Sequence, residues 1–398
     1  MHCVRTVTDN LYWVGANDHR LTLFENIHPI PQGVSYNAYL LLDEKSVLFD
    51  TVDWSACRQL LENLSYLLGE NPLDYLVINH MEPDHGACIE EILLRYPQVQ
   101  IISTEKAFLL MRQFGFDVDS HPCITVAEGD TFTFGAHTVT FVGAPMVHWP
   151  EAMVTFDTTN GVLFSADAFG SFGALNGRIF SDECDFMHEC IDEARRYYTN
   201  IVGKYGPQVQ ALLKKAAALD IATICPLHGP VLTGDLSKYL NYYDLWSSYK
   251  AEEPEKILVA SASIHGHTRA AAHTMAEKLR AKGAKVVEMD LTRTDVSYAV
   301  TEAFRCGRIV LACATYDGFL FPPMENLLTH LKTKNFQGRT VGLMENGTWA
   351  PMAAKLMRAE LDGMKNITVC DAVVTIRSAA NAAAEAQMDV LADELLAK

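Results

Sequence analysis

"YLVINHMEPDH", residues 75–85, opens with an apolar run and closes with two histidines and two carboxylates in six positions: His80, Glu82, Asp84 and His85. The run reads as a strand, so the ionisable groups occupy a loop at its carboxyl end, where sites are commonly built. Buried without partners, such charges would cost several kcal/mol, whereas a bound cation makes the same crowding favourable. Three later segments repeat the arrangement of an apolar run followed by a ligand-type residue: "GAPMVHWPE" brings His148, "VLFSADAFG" brings Asp167 and "TICPLHGP" brings His228. Together these are four histidines and three carboxylates. That set is enough for two metals if one carboxylate bridges them.

Around this cluster, residues 1–250 alternate short strand-like runs such as "SYNAYLLL", "SVLFDTV" and "TVTFVGAP" with helical stretches such as "CRQLLENLSYLLG". The pattern suits an α/β sandwich with helices outside. A polar stretch containing Pro254 at about residues 248–255 reads as a linker, and residues 254–398 then follow a regular strand and helix alternation. Five strands joined by right-handed crossovers imply a doubly wound parallel sheet whose ligand site lies at the carboxyl ends of its strands.

At 398 residues the chain is long enough for two cores. Its 32 Lys and Arg against 49 Asp and Glu give a formal charge of −17, which disfavours nucleic acid and anionic lipid surfaces. No apolar run of about 18 residues is present, so no membrane span is expected, and the N-terminal stretch lacks the order of a signal peptide. The expected location is the cytoplasm. The ten cysteines form no C-x-x-C pair, which removes a zinc ribbon or a rubredoxin-type centre and leaves mostly buried, reduced thiols as the expectation.

Three loops of the second half lie where a mononucleotide would bind. "SASIHGHT" (261–268) joins a strand to a helix, so that Ser261, Ser263, His265, Gly266, His267 and Thr268 would surround a phosphate at the helix N-terminus. "ATYDGFLFPP" (314–323) supplies Thr315, Tyr316, Asp317 and Gly318, and "ENGTWAP" (345–351) supplies Asn346, Gly347, Thr348 and Trp349. Tyr316 and Trp349 offer aromatic faces on which a planar ring of such a ligand could stack. No G-x-G-x-x-G follows a strand, which favours a mononucleotide over a dinucleotide.

The cluster resembles the metallo-β-lactamase superfamily, whose zinc motif H-x-H-x-D-H appears here with Glu82 at the second histidine position. A carboxylate there adds negative charge and hard oxygen donation, which suits iron. The form "HMEPDH", with "VHWPEAM", "FSADAFG" and "PLHGPV", is similar to the flavodiiron proteins, or A-type flavoproteins. The resemblance implies a metallo-β-lactamase-like αββα sandwich followed by a flavodoxin-like domain binding FMN. It also implies an oxo- or hydroxo-bridged diiron centre. One iron would take His80, Glu82 and His148, the other Asp84, His85 and His228, with Asp167 bridging; some members leave the position of His85 off the metal. The activity so implied is reduction of dioxygen to water, of nitric oxide to nitrous oxide, or of both, in an anaerobic or microaerobic cell. The partners implied are a head-to-tail homodimer, alone or as a dimer of dimers, and a separate electron donor, either rubredoxin or a reduced flavin or deazaflavin carrier. Lys332, Lys334, Arg339 and Lys355 are candidates for a basic patch receiving an acidic donor. The competing reading is a zinc-dependent hydrolase fused to a flavodoxin-like domain, against which Glu82 argues.

Overall fold

The alternation of inward and outward residues along each strand builds the first unit. In the computed structural model, which describes residues 2–398, the chain divides into two compact units, one ending at Asp244 and the other running Leu245–Lys398. The first sheet of the first unit follows sequence order: β1 (Arg5–Thr8), β2 (Leu11–Trp13), β3 (Tyr39–Leu42), β4 (Ser46–Phe49), β5 (Tyr75–Val77), β6 (Gln100–Ser103) and β7 (Cys123–Thr125). β1 to β4 pair antiparallel and β4 to β7 parallel. The second sheet has the order β8 (Thr131–Thr133), β9 (Thr138–Gly143), β10 (Met153–Asp157), β11 (Val162–Phe164) and β12 (Thr223–Cys225), parallel only at β11 and β12.

Period-2 residues of both sheets meet in one core. Leu11, Trp13, Tyr39, Leu41, Val47 and Phe49 come from the first sheet, and Val139, Phe141, Val162 and Phe164 from the second. Phe49 stacks on Phe164 with ring centroids 3.9 Å apart. Each such side chain contributes about 1.5–3 kcal/mol by leaving water. The sandwich expected from the sequence is present, and its packing holds the strand ends that carry the site.

The second unit is a parallel sheet in the order β14 (Lys285–Asp290), β13 (Glu253–Ala262), β15 (Cys306–Tyr316), β17 (Thr340–Asn346) and β18 (Thr368–Ile376). Its two faces carry separate cores. Leu258, Ala260, Ile309 and Leu311 face one side, whereas Ile257, Val259, Val310 and Ala312 face the other. Helices cover both sides, which is the doubly wound arrangement. A sixth strand, β16 (Phe319–Leu320), folds back antiparallel on β15. Asp317 and Gly318, with φ of 51° and 75°, form the two-residue turn that permits it. β13 begins at Glu253, inside the stretch read as a linker, and Pro254 is tolerated because the register with β15 slips between Glu253 and Ile257. Among the described residues no helix is long and apolar enough to cross a membrane.

Candidate functional site

The loop after β5 is set by hydrogen bonds from neighbouring strand ends. Asp50, at the end of β4, accepts from the backbone N–H groups of Asn79 at 2.7 Å and His80 at 3.2 Å, and from Asn79 Nδ2 at 2.7 Å. Thr155 Oγ1 on β10 donates to Asn79 Oδ1 at 2.7 Å, which ties the loop to the second sheet. Glu82 stands at the N-cap of the single turn Pro83–Gly86, with Pro83 at the position where a missing N–H costs nothing. Thr51 N then donates to His85 O at 3.0 Å. His148 leaves the loop after β9, Asp167 the loop after β11 and His228 the loop after β12. Met146 and Ala166, non-glycine residues at φ of 66° and 51°, sit beside His148 and Asp167, so left-handed backbone is concentrated at the site.

All seven sequence-predicted residues come together. His80, Glu82, His148 and Asp167 form one group and Asp84, His85 and His228 a second; within each, one donor atom per residue lies within 4.8 Å of the others. His148 Nε2 is 3.0 Å from both Glu82 Oε2 and Asp167 Oδ2, and His80 Nε2 is 3.3 Å from Glu82 Oε2 and 3.5 Å from Asp167 Oδ2. The other carboxylate oxygen, Asp167 Oδ1, faces His85 Nε2 at 3.2 Å and His228 Nε2 at 3.8 Å. Asp84 Oδ2 lies 3.1 Å from His228 Nε2 and 3.5 Å from His85 Nε2. One carboxylate therefore spans two histidine pairs.

The electrostatics call for positive charge. Burial alone would lower His80 and His148, but the surrounding carboxylates outweigh it, holding His80 well above the ordinary histidine range and His148 at about 9. His228 is raised in the same way by Asp84 and Asp167. Burial would raise Glu82 and Asp167, yet their histidine neighbours leave both below the usual carboxylate values. Both oxygens of Asp84 and Oδ1 of Asp167 are buried without a hydrogen bond. Imidazole nitrogens and carboxylate oxygens converging with unmet acceptors fit a pair of metal ions.

Further residues complete the site. Glu25 lines a cleft of about 650 Å³ together with Phe24, Tyr36, Glu82 and Asp84. Burial, then the nearby Glu82 charge, pushes its carboxyl up to about 7. Tyr197 is fully buried, with its ring 5.6 Å from that of His228 and its hydroxyl lacking a hydrogen-bond partner. Glu151 accepts from His80 Nδ1 at 2.8 Å. Glu25 and Asp50 reach the site through packing alone.

In the second unit a cleft of about 530 Å³ opens at the carboxyl ends of β13, β15 and β17, where the strand order reverses. Ser263, His265, His267, Thr268, Thr315, Tyr316, Asp317, Gly318, Asn346, Gly347, Thr348 and Trp349 line it. Gly266, at φ of 92°, is the N-cap of the helix His267–Ala281 and lines a smaller neighbouring recess. Ser261 does not reach the cleft: it is buried within β13, and its carbonyl accepts from Leu291 N at 2.9 Å. Ser378, after β18, lines the cleft without having been read from sequence, and its N–H donates to Asn346 Oδ1 at 3.1 Å. Trp349 is 86% exposed and Tyr316 43%. Arg339, read as a surface cation, is buried instead and caps carbonyls of Cys306, Phe304 and Tyr249, which corrects the basic-patch expectation at that position.

A metallo-β-lactamase-like sandwich with a two-metal donor set, joined to a flavodoxin-like unit, defines a two-domain metalloflavoprotein. The family described as "ODP family beta lactamase" matches residues 34–229. The chain is 30% identical over 353 residues to the anaerobic nitric oxide reductase flavorubredoxin of Aliivibrio fischeri, covering 86% of this chain and 69% of that protein. It is 29% identical over 365 residues to the nitric oxide reductase of Moorella thermoacetica, covering 90% of each. The solved rubredoxin oxygen:oxidoreductase of Desulfovibrio gigas superposes with a TM-score of 0.92 at 27% identity, covering 99% of this chain and 98% of that one. The chain belongs to the flavodiiron protein family. It is a diiron oxidoreductase of the family whose cofactors are FMN and two iron ions, and the hydrolase reading is not favoured.

Proposed function

We propose that this protein reduces dioxygen to water, nitric oxide to nitrous oxide, or both, at a diiron centre supplied with electrons by FMN. The observation that carries the reading is the Asp167 carboxylate, buried and presenting one oxygen to the His80 and His148 side and the other to the His85 and His228 side. On this reading His80, Glu82 and His148 would hold one iron and Asp84, His85 and His228 the other, with Asp167 shared between them. When bound, two irons and one FMN store four electrons, which matches O₂ + 4 e⁻ + 4 H⁺ → 2 H₂O, whereas 2 NO + 2 e⁻ + 2 H⁺ → N₂O + H₂O uses two.

The chain's own residues orient, shield and donate. Phe24 and Tyr197 pack around His228 with ring centroids 5.2 and 5.6 Å away, which keeps bulk water off that side of the cluster. The Tyr197 hydroxyl, held protonated by burial and the adjacent Asp167 charge, is available to donate to a ligand beside the cluster. In the second unit the N–H groups at the start of the helix His267–Ala281 and the Ser263 hydroxyl would receive the FMN phosphate, with Tyr316 and Trp349 flanking its ring.

Electron delivery is assigned to a head-to-tail homodimer, and the donor to rubredoxin or a reduced flavin carrier in the cytoplasm. The rubredoxin named in the Desulfovibrio protein supports the first donor. Anaerobic stopped-flow on the reduced enzyme tests the reading: reoxidation by oxygen or nitric oxide is expected, and inertness to both would overturn it. A monomer in analytical ultracentrifugation that turns over at full rate would overturn the dimer.

A further inference from the structure

We propose that Glu151 is a positioning residue that makes the two metal positions electronically unequal, strengthening His80 as a ligand while the opposite position receives no comparable push. The inference rests on the metal assignment proposed above. His80 turns Nε2 into the cluster, 3.3 Å from Glu82 Oε2, and its outer Nδ1–H donates to Glu151 Oε1 at 2.8 Å. Both side chains are 0% exposed. Glu151 Oε1 also accepts from Met81 N at 2.9 Å, while Oε2 is buried without a hydrogen bond. Among the described residues His80 is the one ion-pair partner of Glu151, and no Lys or Arg pairs with it. Thr104 Oγ1 donates to the Glu151 carbonyl at 3.2 Å and fixes the loop that presents it.

The opposite position is supported differently. His228 Nδ1–H donates to a neutral backbone carbonyl, Ser35 O, at 2.7 Å. His85 Nδ1 is buried with no hydrogen bond at all. A carboxylate behind a ligating imidazole raises its basicity more than a carbonyl does, and such outer partners change metal affinity about 10- to 100-fold. Stronger donation from His80 favours the ferric ion on its side. With iron and FMN bound, the position held by Asp84, His85 and His228 would therefore be the easier of the two to reduce by one electron from FMN. The Nδ1 proton stays within the bond to Glu151, so this uptake moves no proton there.

The test compares ⁵⁷Fe-loaded holoenzyme with Glu151→Gln and Glu151→Ala. Gln keeps an acceptor for Met81 N and His80 but removes the charge; Ala removes both. Mössbauer spectra of the half-reduced wild type should show one ferric and one ferrous site. Gln should shift one of the two sites and leave the other, and Ala should do so more strongly. In a ferrous-chelator assay one of the two irons should leave about 10- to 100-fold faster in the variants. Equal response of both irons, or of neither, at unchanged FMN content and melting temperature overturns the proposal. Wild-type protein lacking two irons would instead sink the metal assignment; cobalt(II)-loaded protein then reads the same asymmetry, because the bond acts on whichever ion His80 holds.

Discussion

Asp167→Ala separates the two units most sharply. The side chain is 2% exposed and stands within 3.0–3.8 Å of four imidazole Nε2 atoms, so an ion seated in either group lies within a few ångströms of its charge. At about 4 Å and an effective dielectric of about 20, one unit charge against a divalent ion is worth roughly 8 kcal/mol before the site relaxes. If two thirds is lost to relaxation and water entry, about 2.7 kcal/mol remains, or roughly a hundredfold in affinity for each ion. Metal analysis and the flavin absorbance of the purified variant read the outcome. Iron should fall from two per chain towards none while one FMN per chain is kept, because the flavin cleft belongs to Leu245–Lys398. Asp167→Asn keeps one carbonyl oxygen and turns the other arm into a donor that cannot ligate, so it should retain at most one iron. Two tightly held irons in the Ala variant would refute the bridging role.

Trp349→Ala, which removes an exposed face of the cleft, should weaken FMN binding roughly 3- to 10-fold in a fluorescence titration, from about 0.5–1.5 kcal/mol of stacking. Phe164→Ala, which removes a ring stacked on Phe49 at 3.9 Å just before the Asp167 loop, should cost about 3–5 kcal/mol in urea unfolding and lower iron content with it. Glu394 accepts from Lys398 Nζ and from the N–H groups of Asp371 and Ala372, and the Lys398 bond leads in bringing it to about 2 from an ordinary 4.5. Its folded value is depressed, so the stabilisation is present above pH 4.5 and is lost as pH falls through about 2. After allowance for solvent screening, Glu394→Gln should cost about 1–2 kcal/mol at pH 7 and less than half of that at pH 3, measured by denaturant unfolding.

The sequence by itself determined the kinds of donor and their approximate places. An apolar run long enough for one strand, followed at once by His80, Glu82, Asp84 and His85, leaves those groups at a strand end whatever the sheet order, and the same logic placed His148, Asp167 and His228. The three loops of the second unit were legible for the same reason, because a parallel sheet puts every such loop on one edge. Local pattern misled at Ser261, which alternation along β13 buries, and at Arg339, whose charge the sequence shows but whose capped carbonyls it does not. Tertiary structure alone decided that Asp167 turns one oxygen to each histidine pair, and that Glu151 stands behind His80 while Ser35 O stands behind His228. The partner of an outer imidazole nitrogen depends on how two sheets stack and where their loops meet, and those contacts join residues 71 and 193 positions apart.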